Sequence, residues 1–304
     1  MVKSKAEKEG TDDMYHVIYN PNSGLKKTDQ AAATVKTILE QQGIEAVFHP
    51  TEGKGHCTEI VREINSSSSD AKIIIIGGDG TFSEALNGVT DFDTVTFGLI
   101  PGGSGNDFAK KLCLPSDPQK ATLRILNGAV QKLDYIDLNG KRCLNVCGLG
   151  MDVDVLVRCA EKSRFKGKVK YYLSLLYVLT HFKPHRVRYK IGDVVGEQDV
   201  FMVGACNGSY IGGGMALAPD SSVTDGILDL VVIDNIPKPM IPFRLVPFLL
   251  GRMNKQSCTH IYQGTEAEIE ILGESPARVQ VDGEVMEMPK LCCKIVPRKL
   301  KMFL

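Results

Sequence analysis

Short apolar runs alternate with helix-like segments along the first part of the chain. The pattern predicts strands at His16 to Tyr19, Ile44 to His49, Ile73 to Ile76 and Phe97 to Ile100. It predicts helices at Asp29 to Gln42 and Thr58 to Ile64, through Glu84 to Asn87, and after Asp117-Pro118. Ile73 to Ile76 is an unbroken β-branched run, which is typical of a strand buried on both faces. This alternation predicts a parallel sheet with helices on both faces.

The pattern changes after residue 128. Asn139-Gly140 separates two apolar runs and predicts a two-residue hairpin. One helical stretch follows, Val169 to Phe182, and the remaining strand-like runs are Val187 to Ile191, Val200 to Cys206, Ile227 to Ile233, Ala267 to Leu272 and Val279 to Val281. We therefore expect a Rossmann-like parallel α/β domain at residues 1–133, followed by an antiparallel β-sandwich domain at residues 134–290.

Composition and charge argue against several classes of protein. The 304 residues are 43% hydrophobic and carry 36 Lys+Arg against 36 Asp+Glu, which argues against disorder and against a nucleic-acid partner. No apolar run reaches the roughly 18 residues of a membrane span, and the charged N-terminus lacks a secretory core. Nine cysteines, an odd number without a CxxC pair, make a disulfide framework or a zinc site improbable. We expect a cytoplasmic protein.

The strongest chemical signal is the run Gly77-Gly78-Asp79-Gly80-Thr81, directly after the buried strand. A strand that ends in glycines and opens a helix presents backbone N–H groups at a positive helix end, which suits a phosphate. Asp79 repels phosphate, so it fits a ligand of phosphate-bound Mg²⁺ or a base facing a hydroxyl. The alternative is a glycine-rich turn in which Asp79 only caps the helix.

Two more polar loops follow predicted strands. One is Asn20-Pro21-Asn22-Ser23-Gly24, and the other extends from Pro101 to Ala109. Either alone would pass as an ordinary turn. In open parallel sheets, ligands bind beyond the carboxyl ends of the strands, so the three loops are expected to meet in one crevice. Neither a GxxxxGK[ST] P-loop nor a GxGxxG dinucleotide fingerprint is present.

These loops, with Asn207-Gly208, Asp225-Gly226 and Val281-Asp282-Gly283-Glu284 downstream, resemble the diacylglycerol kinase catalytic-domain family, in particular its bacterial soluble lipid kinases. The resemblance covers the chain from about His16 to its end. It implies an α/β nucleotide-binding domain and a β-sandwich domain, with residues 291–304 returning to the first domain.

The resemblance also implies ATP and Mg²⁺ as cofactors and assigns roles to residues. The implied nucleotide-binding residues are Asn20, Pro21, Asn22, Ser23, Gly24, Thr51, Gly78, Asp79, Gly80, Thr81, Glu84, Ser104, Asn106 and Asp107. Ser104 stands where the family usually has Thr and keeps the hydroxyl. Glu284 is the implied proton acceptor, with Asp79 beside the transferred phosphate. The implied Mg²⁺ ligands are the Asp225 side chain and the backbone of Ser222 and Ile227.

The implied activity is phosphorylation of a membrane-lipid hydroxyl, with diacylglycerol as the leading substrate. Such an enzyme must reach the inner face of the membrane, and two segments are candidates. One is the basic run of Arg164, Lys166, Lys168 and Lys170, with further positive charge at His181 to Arg188. The other, Met240 to Met253, mixes apolar residues with arginine. Their alternatives are a solvated helix face and a core-packing loop.

Two rival functions remain open. One is NAD kinase, which has a related fold and shares the GGDGT motif, although the NPNSG and NDFA segments favour the lipid kinases. The other is a catalytically silent, nucleotide-binding regulator, which the retained Asp79, Asp107 and Glu284 disfavour. Besides diacylglycerol, the candidate acceptors are phosphatidylglycerol, monoacylglycerol and long-chain bases, and a homodimer is compatible with the sequence.

Overall fold

The computed structural model describes residues 14–21, 27–161, 167–273 and 277–304. The chain forms two compact units, Met1–Leu133 with Lys299–Leu304, and Asp134–Arg298. The C-terminal return to the first unit therefore begins at Lys299, later than the expected residue 291. The reason is that Lys290 to Lys294 pair with Glu266 to Glu270 inside the second unit.

Strands and helices alternate in the first unit, in the order β1 (Tyr15–Tyr19), α1 (Lys27–Gln41), β2 (Ala46–Pro50), α2 (His56–Ser67), β3 (Ala71–Gly77), α3 (Asp79–Gly88), β4 (Val95–Pro101), α4 (Asp107–Lys111) and α5 (Pro118–Asn127). The four strands are parallel and lie in the order β2-β1-β3-β4. The end of the last strand of the chain runs parallel to β4, with Met302 opposite Phe97. The predicted parallel α/β domain is confirmed.

Local sequence signals account for these elements. Ile73 to Ile76 are completely buried, as expected for a central strand covered on both faces. The apolar stripe of α1, including Val35 and Leu39, packs on that sheet in a common core. Helix α5 begins with Pro118 at its first position, and the Asp117 carboxylate accepts a hydrogen bond from Lys120 N. This N-cap satisfies one of the N–H groups that a helix start leaves without a partner.

The second unit is mainly antiparallel. Its elements are β5 (Val130–Leu138, which begins in the first unit), β6 (Lys141–Cys143), β7 (Val146–Gly150), α6 (Met151–Glu161), α7 (Gly167–His181), β8 (His185–Ile191), β9 (Val194–Cys206), β10 (Tyr210–Ile211), β11 (Met215–Ala216), β12 (Leu228–Asp234), α8 (Ile241–Leu249), β13 (Thr259–Gly264), β14 (Glu266–Leu272), β15 (Ala277–Val281), β16 (Glu284–Met288) and β17 (Lys290–Phe303). Strands β7, β8 and β12 each pair antiparallel with β9. The expected antiparallel β-sandwich domain is confirmed.

The predicted hairpin is present, with Leu138 opposite Lys141 and positive φ angles of 50° at Asn139 and 85° at Gly140. In this unit, helix α6 and strands β10, β11, β13 and β16 carried no prediction. The Met240 to Met253 segment contains the nine-residue helix α8 with Pro247 inside it. Helices α7 and α8 contribute side chains to one hydrophobic cluster of the second unit.

Candidate active site

The sheet register aligns the ends of the strands in the first unit. Tyr19 lies opposite both Pro50 and Ile76, and Ile76 lies opposite Ile100. The loops after β1, β2, β3 and β4 therefore begin at the same edge of the sheet. This is the carboxyl edge, where parallel α/β sheets bind ligands.

A cleft of about 250 Å³ lies at this edge, lined by Asn20, Thr51, Glu52, Gly53, Lys54, Cys57, Thr81 and Glu84. Two backbone-directed hydrogen bonds shape its wall. The Thr28 hydroxyl donates to Asn20 O at 2.6 Å, and Thr51 N donates to Tyr19 O at 2.8 Å. The structure thus brings together four predicted nucleotide-binding residues from three separate segments of the chain, namely Asn20, Thr51, Thr81 and Glu84.

The two glycine-rich loops after β3 and β4 contact each other through their backbones. Gly102 N donates to Gly77 O at 2.8 Å. A Cβ on Gly78 would lie 2.9 Å from the Gly103 Cα, so neither loop tolerates a side chain at this crossing. Asn106 closes its own loop, because its Oδ1 accepts from Gly103 N and its Nδ2 donates to Gly103 O, both at 2.9 Å. Gly78 and Asn106 therefore maintain the loop geometry.

Asp79 joins these two loops as well. Its Oδ2 accepts from Asp107 N and its Oδ1 from Phe108 N, each at 3.0 Å, so the carboxylate caps the start of α4. Asp107 itself is buried and pairs with Lys110 at 3.2 Å. The sequence suggested Asp79 as a helix cap or as a site carboxylate. The structure shows that it caps α4, 28 residues further along the chain, and not its own helix α3.

Gly80 has an environment unlike that of Gly78. It is the second residue of α3, and a Cβ there would meet no protein heavy atom within 4 Å. The first backbone bond of α3 runs from Phe82 N to Gly78 O, so the N–H of Gly80 precedes the hydrogen-bonded turns. The fold does not require a glycine here, whereas close approach of a ligand to the backbone would.

Of the remaining predicted nucleotide-binding residues, the structure describes two. Ser104 is exposed in the loop after β4, and Pro21 lies in the turn after β1. Asn22, Ser23 and Gly24 lie outside the described residues.

Sequence reasoning found Thr51 but missed Glu52, Gly53 and Lys54 in the loop after β2, and Cys57 in the first turn of α2, which also line the cleft. A lysine between two glycines, directly after a strand of the same sheet, was the signal that could have found this loop. Burial raises the pKa of the Cys57 thiol to about 12, with a further contribution from Glu84. Cys57 is therefore a protonated packing residue, and only the thiolate would be nucleophilic.

In the second unit, Glu284 stands at a tight turn between β15 and β16. Val281 lies opposite Glu284, and the intervening Asp282 and Gly283 have φ angles of 50° and 84°. The Gln280 side chain accepts a hydrogen bond from Gly283 N at 2.9 Å. The turn thus fixes the backbone from which the Glu284 carboxylate projects.

The predicted metal-binding turn is a second ordered loop of this unit. Asp225 Oδ1 accepts from Ile227 N at 3.0 Å, while the Ser222 hydroxyl contacts Thr224. The buried Asp134 accepts from Gly226 N at 2.7 Å and anchors the turn. The described residues contain no cluster of three or more His, Cys, Asp or Glu side chains that could hold a metal. One carboxylate with two main-chain carbonyls is nevertheless an oxygen donor set that suits Mg²⁺, which retains several waters.

A hydrogen-bond network connects the two turns. Asp282 accepts from Leu144 N at 2.9 Å and from Asn145 N at 2.8 Å. The buried Asn207 donates to Leu144 O at 2.6 Å and to Asp134 O at 3.0 Å. The loop at residues 144–145 therefore links the Glu284 turn, through Asn207, to Asp134 and the Asp225 turn.

The basic segments proposed for membrane contact are only partly described. Arg164 and Lys166 lie outside the described residues, as do the side chains of Lys168 and Lys170. Arg186 pairs with Glu197 and Asp199, and Arg188 pairs with Glu197 and Glu270. Neighbouring carboxylates on the sheet thus balance the positive charge predicted for these two arginines. Over the described part of the chain, no helix is long and apolar enough to cross a membrane.

Two family models together match nearly the whole chain. Residues 14–138 match the diacylglycerol kinase catalytic domain. Residues 145–304 match the YegS C-terminal NAD kinase beta sandwich-like domain.

Individual relatives agree with these matches. The diacylglycerol kinase of Bacillus subtilis (strain 168) is 34% identical over 222 residues, which cover 71% of this chain and 72% of that protein. The crystal structure of a diacylglycerol kinase from Bacillus anthracis strain Sterne superposes with a TM-score of 0.77 at 25% identity, covering 97% of this chain and 98% of that chain. An NAD kinase from Archaeoglobus fulgidus in complex with ATP reaches a TM-score of 0.52 at 11% identity over 96% of this chain and 93% of that chain, a likeness of fold alone.

Proposed function

The chain belongs to the diacylglycerol kinase family of lipid kinases, and from that premise we propose that it transfers the γ-phosphate of ATP to the free hydroxyl of diacylglycerol. The products are phosphatidic acid and ADP, and the reaction depends on Mg²⁺. The enzyme meets its lipid at the cytoplasmic face of the membrane.

The observation that carries the nucleotide assignment is the unfilled space at Gly80. An open glycine at the start of a ten-residue helix lies beside Thr81, at the edge of a polar cleft. Backbone N–H groups at such a position bind phosphate by hydrogen bonds and by the positive end of the helix dipole. We assign the ATP phosphates to the first turn of α3 and the rest of the nucleotide to the cleft walls.

Two further contacts complete the nucleotide assignment. Lys54, on the cleft wall, supplies a cation to a phosphate oxygen. Asn22, Ser23, Gly24 and Ser104 contribute polar groups from the loops after β1 and β4.

In the chemical step, the lipid hydroxyl oxygen attacks the γ-phosphorus and the bond to the β–γ bridging oxygen breaks. ADP leaves with the electron pair of that bond. Glu284 accepts the proton of the hydroxyl, which increases the negative charge on the attacking oxygen. Asp79 stands beside the transferred phosphate and, through its bonds to Asp107 N and Phe108 N, holds the two glycine loops in place. Positioning and charge neutralisation supply most of the rate in such reactions.

Mg²⁺ has two places in this proposal. An ion bound to the nucleotide would neutralise phosphate charge, which is the chemistry that the metal supplies in phosphoryl transfer. The Asp225 carboxylate and the backbone carbonyls of Ser222 and Ile227 would hold a second, structural ion. Asp134 keeps that turn in shape by accepting from Gly226 N.

The test is transfer of labelled γ-phosphate from ATP to a panel of lipids in mixed micelles. The panel contains diacylglycerol, phosphatidylglycerol, monoacylglycerol and a long-chain base, with NAD in a parallel reaction. Labelled phosphatidic acid supports the proposal, and another labelled lipid corrects the acceptor. Labelled NADP assigns the protein to the first rival function, and ATP binding without any labelled product assigns it to the silent regulator.

A further inference from the structure

Helix α8 exposes an apolar face in the second unit. Phe243 is 73% exposed and Val246 57%, and Leu250, the residue directly after α8, is 64% exposed. Leu250 N donates to Val246 O, so Leu250 continues the helical turn, and the spacing places the three side chains on one side of the helix. The opposite side is anchored, because Ile241 is buried in the hydrophobic core cluster of this unit. In the described part of the chain, three large apolar side chains are thus exposed together on α8 and the residue that follows it, beyond the scattered exposed residues that are normal for a surface.

Helix α7 repeats this arrangement. Leu175, Val178 and Leu179 pack into the same core cluster, whereas Leu173 and Leu176 are exposed on the other side. The two helices are neighbours, since Leu179 of α7 and Ile241 and Arg244 of α8 line one small cavity. We refer to Phe243, Val246, Leu250, Leu173 and Leu176 as the α7–α8 apolar face.

Basic residues predominate in the sequence segments around this face. The chain carries no Asp or Glu between Asp234 and Glu266, nor between Glu161 and Asp193. Lys238, Arg252 and Lys255 are exposed in the segments that flank α8. Among the described residues, three carboxylates lie near the two helices. Asp220 accepts a hydrogen bond from Asn254, and Asp154 and Glu161 of α6 line a cavity with Tyr177 and His181 of α7.

These charges decide between the surfaces that could cover the apolar face. A second copy of the chain, seated on the same face about a two-fold axis, would bring two positively charged clusters, each of Lys238, Arg252 and Lys255, into one interface. A bilayer that contains anionic phospholipid offers an apolar layer and a negative surface together. Helix α8 has nine residues and is therefore about 13 Å long, well short of the roughly 30 Å hydrocarbon core.

We propose that the α7–α8 apolar face docks on an anionic membrane, with α8 lying in the plane of the interface. Phe243, Val246 and Leu250 insert among the acyl chains, while Lys238, Arg252 and Lys255 contact lipid headgroups. The proposal rests on the proposed function, because a kinase of a long-chain lipid must hold the bilayer while its substrate enters. It identifies which surface of the second unit makes that contact.

The experiment measures sedimentation of the full chain with vesicles, in the absence of ATP and of diacylglycerol. One set of vesicles is phosphatidylcholine mixed with phosphatidylserine, which is anionic and has no free hydroxyl to phosphorylate, and the other is phosphatidylcholine alone. The apolar variant carries Phe243→Gln, Val246→Gln and Leu250→Gln. Its matched control is Val195→Gln, since Val195 is 65% exposed in the same unit but lies on the β8–β9 hairpin.

We expect the wild type to bind the anionic vesicles and to lose binding as salt is added. The apolar variant should bind at least about tenfold more weakly, a loss that burial of three apolar side chains explains. The Val195→Gln control should bind like the wild type. A second variant with Lys238→Gln, Arg252→Gln and Lys255→Gln should lose binding to anionic vesicles selectively, which keeps the test valid if the apolar variant folds poorly.

Three results would overturn the proposal. In the first, the wild type does not sediment with anionic vesicles. In the second, the apolar variant sediments as well as the wild type. In the third, gel filtration shows a wild-type dimer that the apolar variant splits, which makes a second copy the occupant of the face. Because these vesicles contain no substrate, a failure of the lipid-kinase assay leaves this outcome unaffected, and the two proposals fail separately.

Discussion

The substitution Gly80→Ala adds one methyl group and tests whether a ligand, rather than the fold, requires a glycine at this position. A Cβ on Gly80 meets no protein heavy atom within 4 Å, and the residue lies in a helix, where alanine is preferred. A Cβ on Gly78, two residues earlier, would lie 2.9 Å from the backbone of Gly103. Gly80→Ala therefore perturbs ligand binding, whereas Gly78→Ala perturbs the packing between the two glycine-rich loops.

The magnitudes follow from these surroundings. Gly80→Ala should leave the free energy of unfolding unchanged or raise it by up to about 1 kcal/mol, the helix preference of alanine over glycine. The same methyl group keeps phosphate away from the N–H groups of the first turn. Loss of a hydrogen bond to a charged acceptor costs about 1.5–3 kcal/mol, or roughly 10- to 150-fold in ATP affinity. Gly78→Ala should instead lower the free energy of unfolding by about 1–3 kcal/mol, as overpacking does.

Urea unfolding and calorimetric titration with a non-hydrolysable ATP analogue measure the two quantities independently. The expected pattern for Gly80→Ala is full stability with weakened nucleotide binding. Wild-type affinity in a stable Gly80→Ala protein would refute the assignment of phosphate to this turn. Unfolding of Gly80→Ala at lower urea than the wild type would refute the statement that its Cβ has space.

Three further predictions concern single side chains. Asp282→Ala should lower the free energy of unfolding by about 2–4 kcal/mol in urea, because two backbone N–H groups lose their acceptor. Burial raises the pKa of Asp152 to about 7, so between pH 4 and 7 the folded chain binds a proton that the unfolded chain releases, and stability falls as pH rises. Asp152→Asn should therefore be the more stable protein at pH 8, by up to about 4 kcal/mol, and lose this advantage below pH 4 in a pH series of urea titrations. Lys54→Gln should raise the KM for ATP about tenfold in initial-rate assays, while the exposed Lys120→Gln should leave it unchanged.

Much of the first unit could be predicted because its signals are local. The β-branched run at Ile73 to Ile76, followed at once by glycines, predicted both a buried strand and the start of the next helix. The alignment of strand ends at one edge follows from parallel pairing, so the convergence of the loops could be predicted as well. The contact of the Asp79 carboxylate with Asp107 and Phe108 could not be predicted, since no local pattern reveals which distant backbone N–H groups a carboxylate reaches.

In the second unit, by contrast, the local sequence pattern was a poor guide to secondary structure. Val153, Val155 and Val157 alternate in the manner of a strand, yet they lie in helix α6, whose first turn carries Asp152 and Asp154. Burial against the sheet overrides the local preference there. For the Met240 to Met253 segment the sequence offered an interfacial segment or a core-packing loop, and the structure contains helix α8 there, with Pro247 inside it.

Phosphorylation of diacylglycerol by the wild type and by two matched glutamate variants tests the central claim most directly. Glu284 begins β16, and Glu287 is an exposed glutamate on the same strand. With labelled ATP and diacylglycerol in mixed micelles, the account predicts labelled phosphatidic acid from the wild type and from Glu287→Gln. It predicts a rate at least about a hundredfold lower from Glu284→Gln, with ATP affinity preserved. A Glu284→Gln rate within about tenfold of the wild type, or label on NAD and on no lipid, would contradict it.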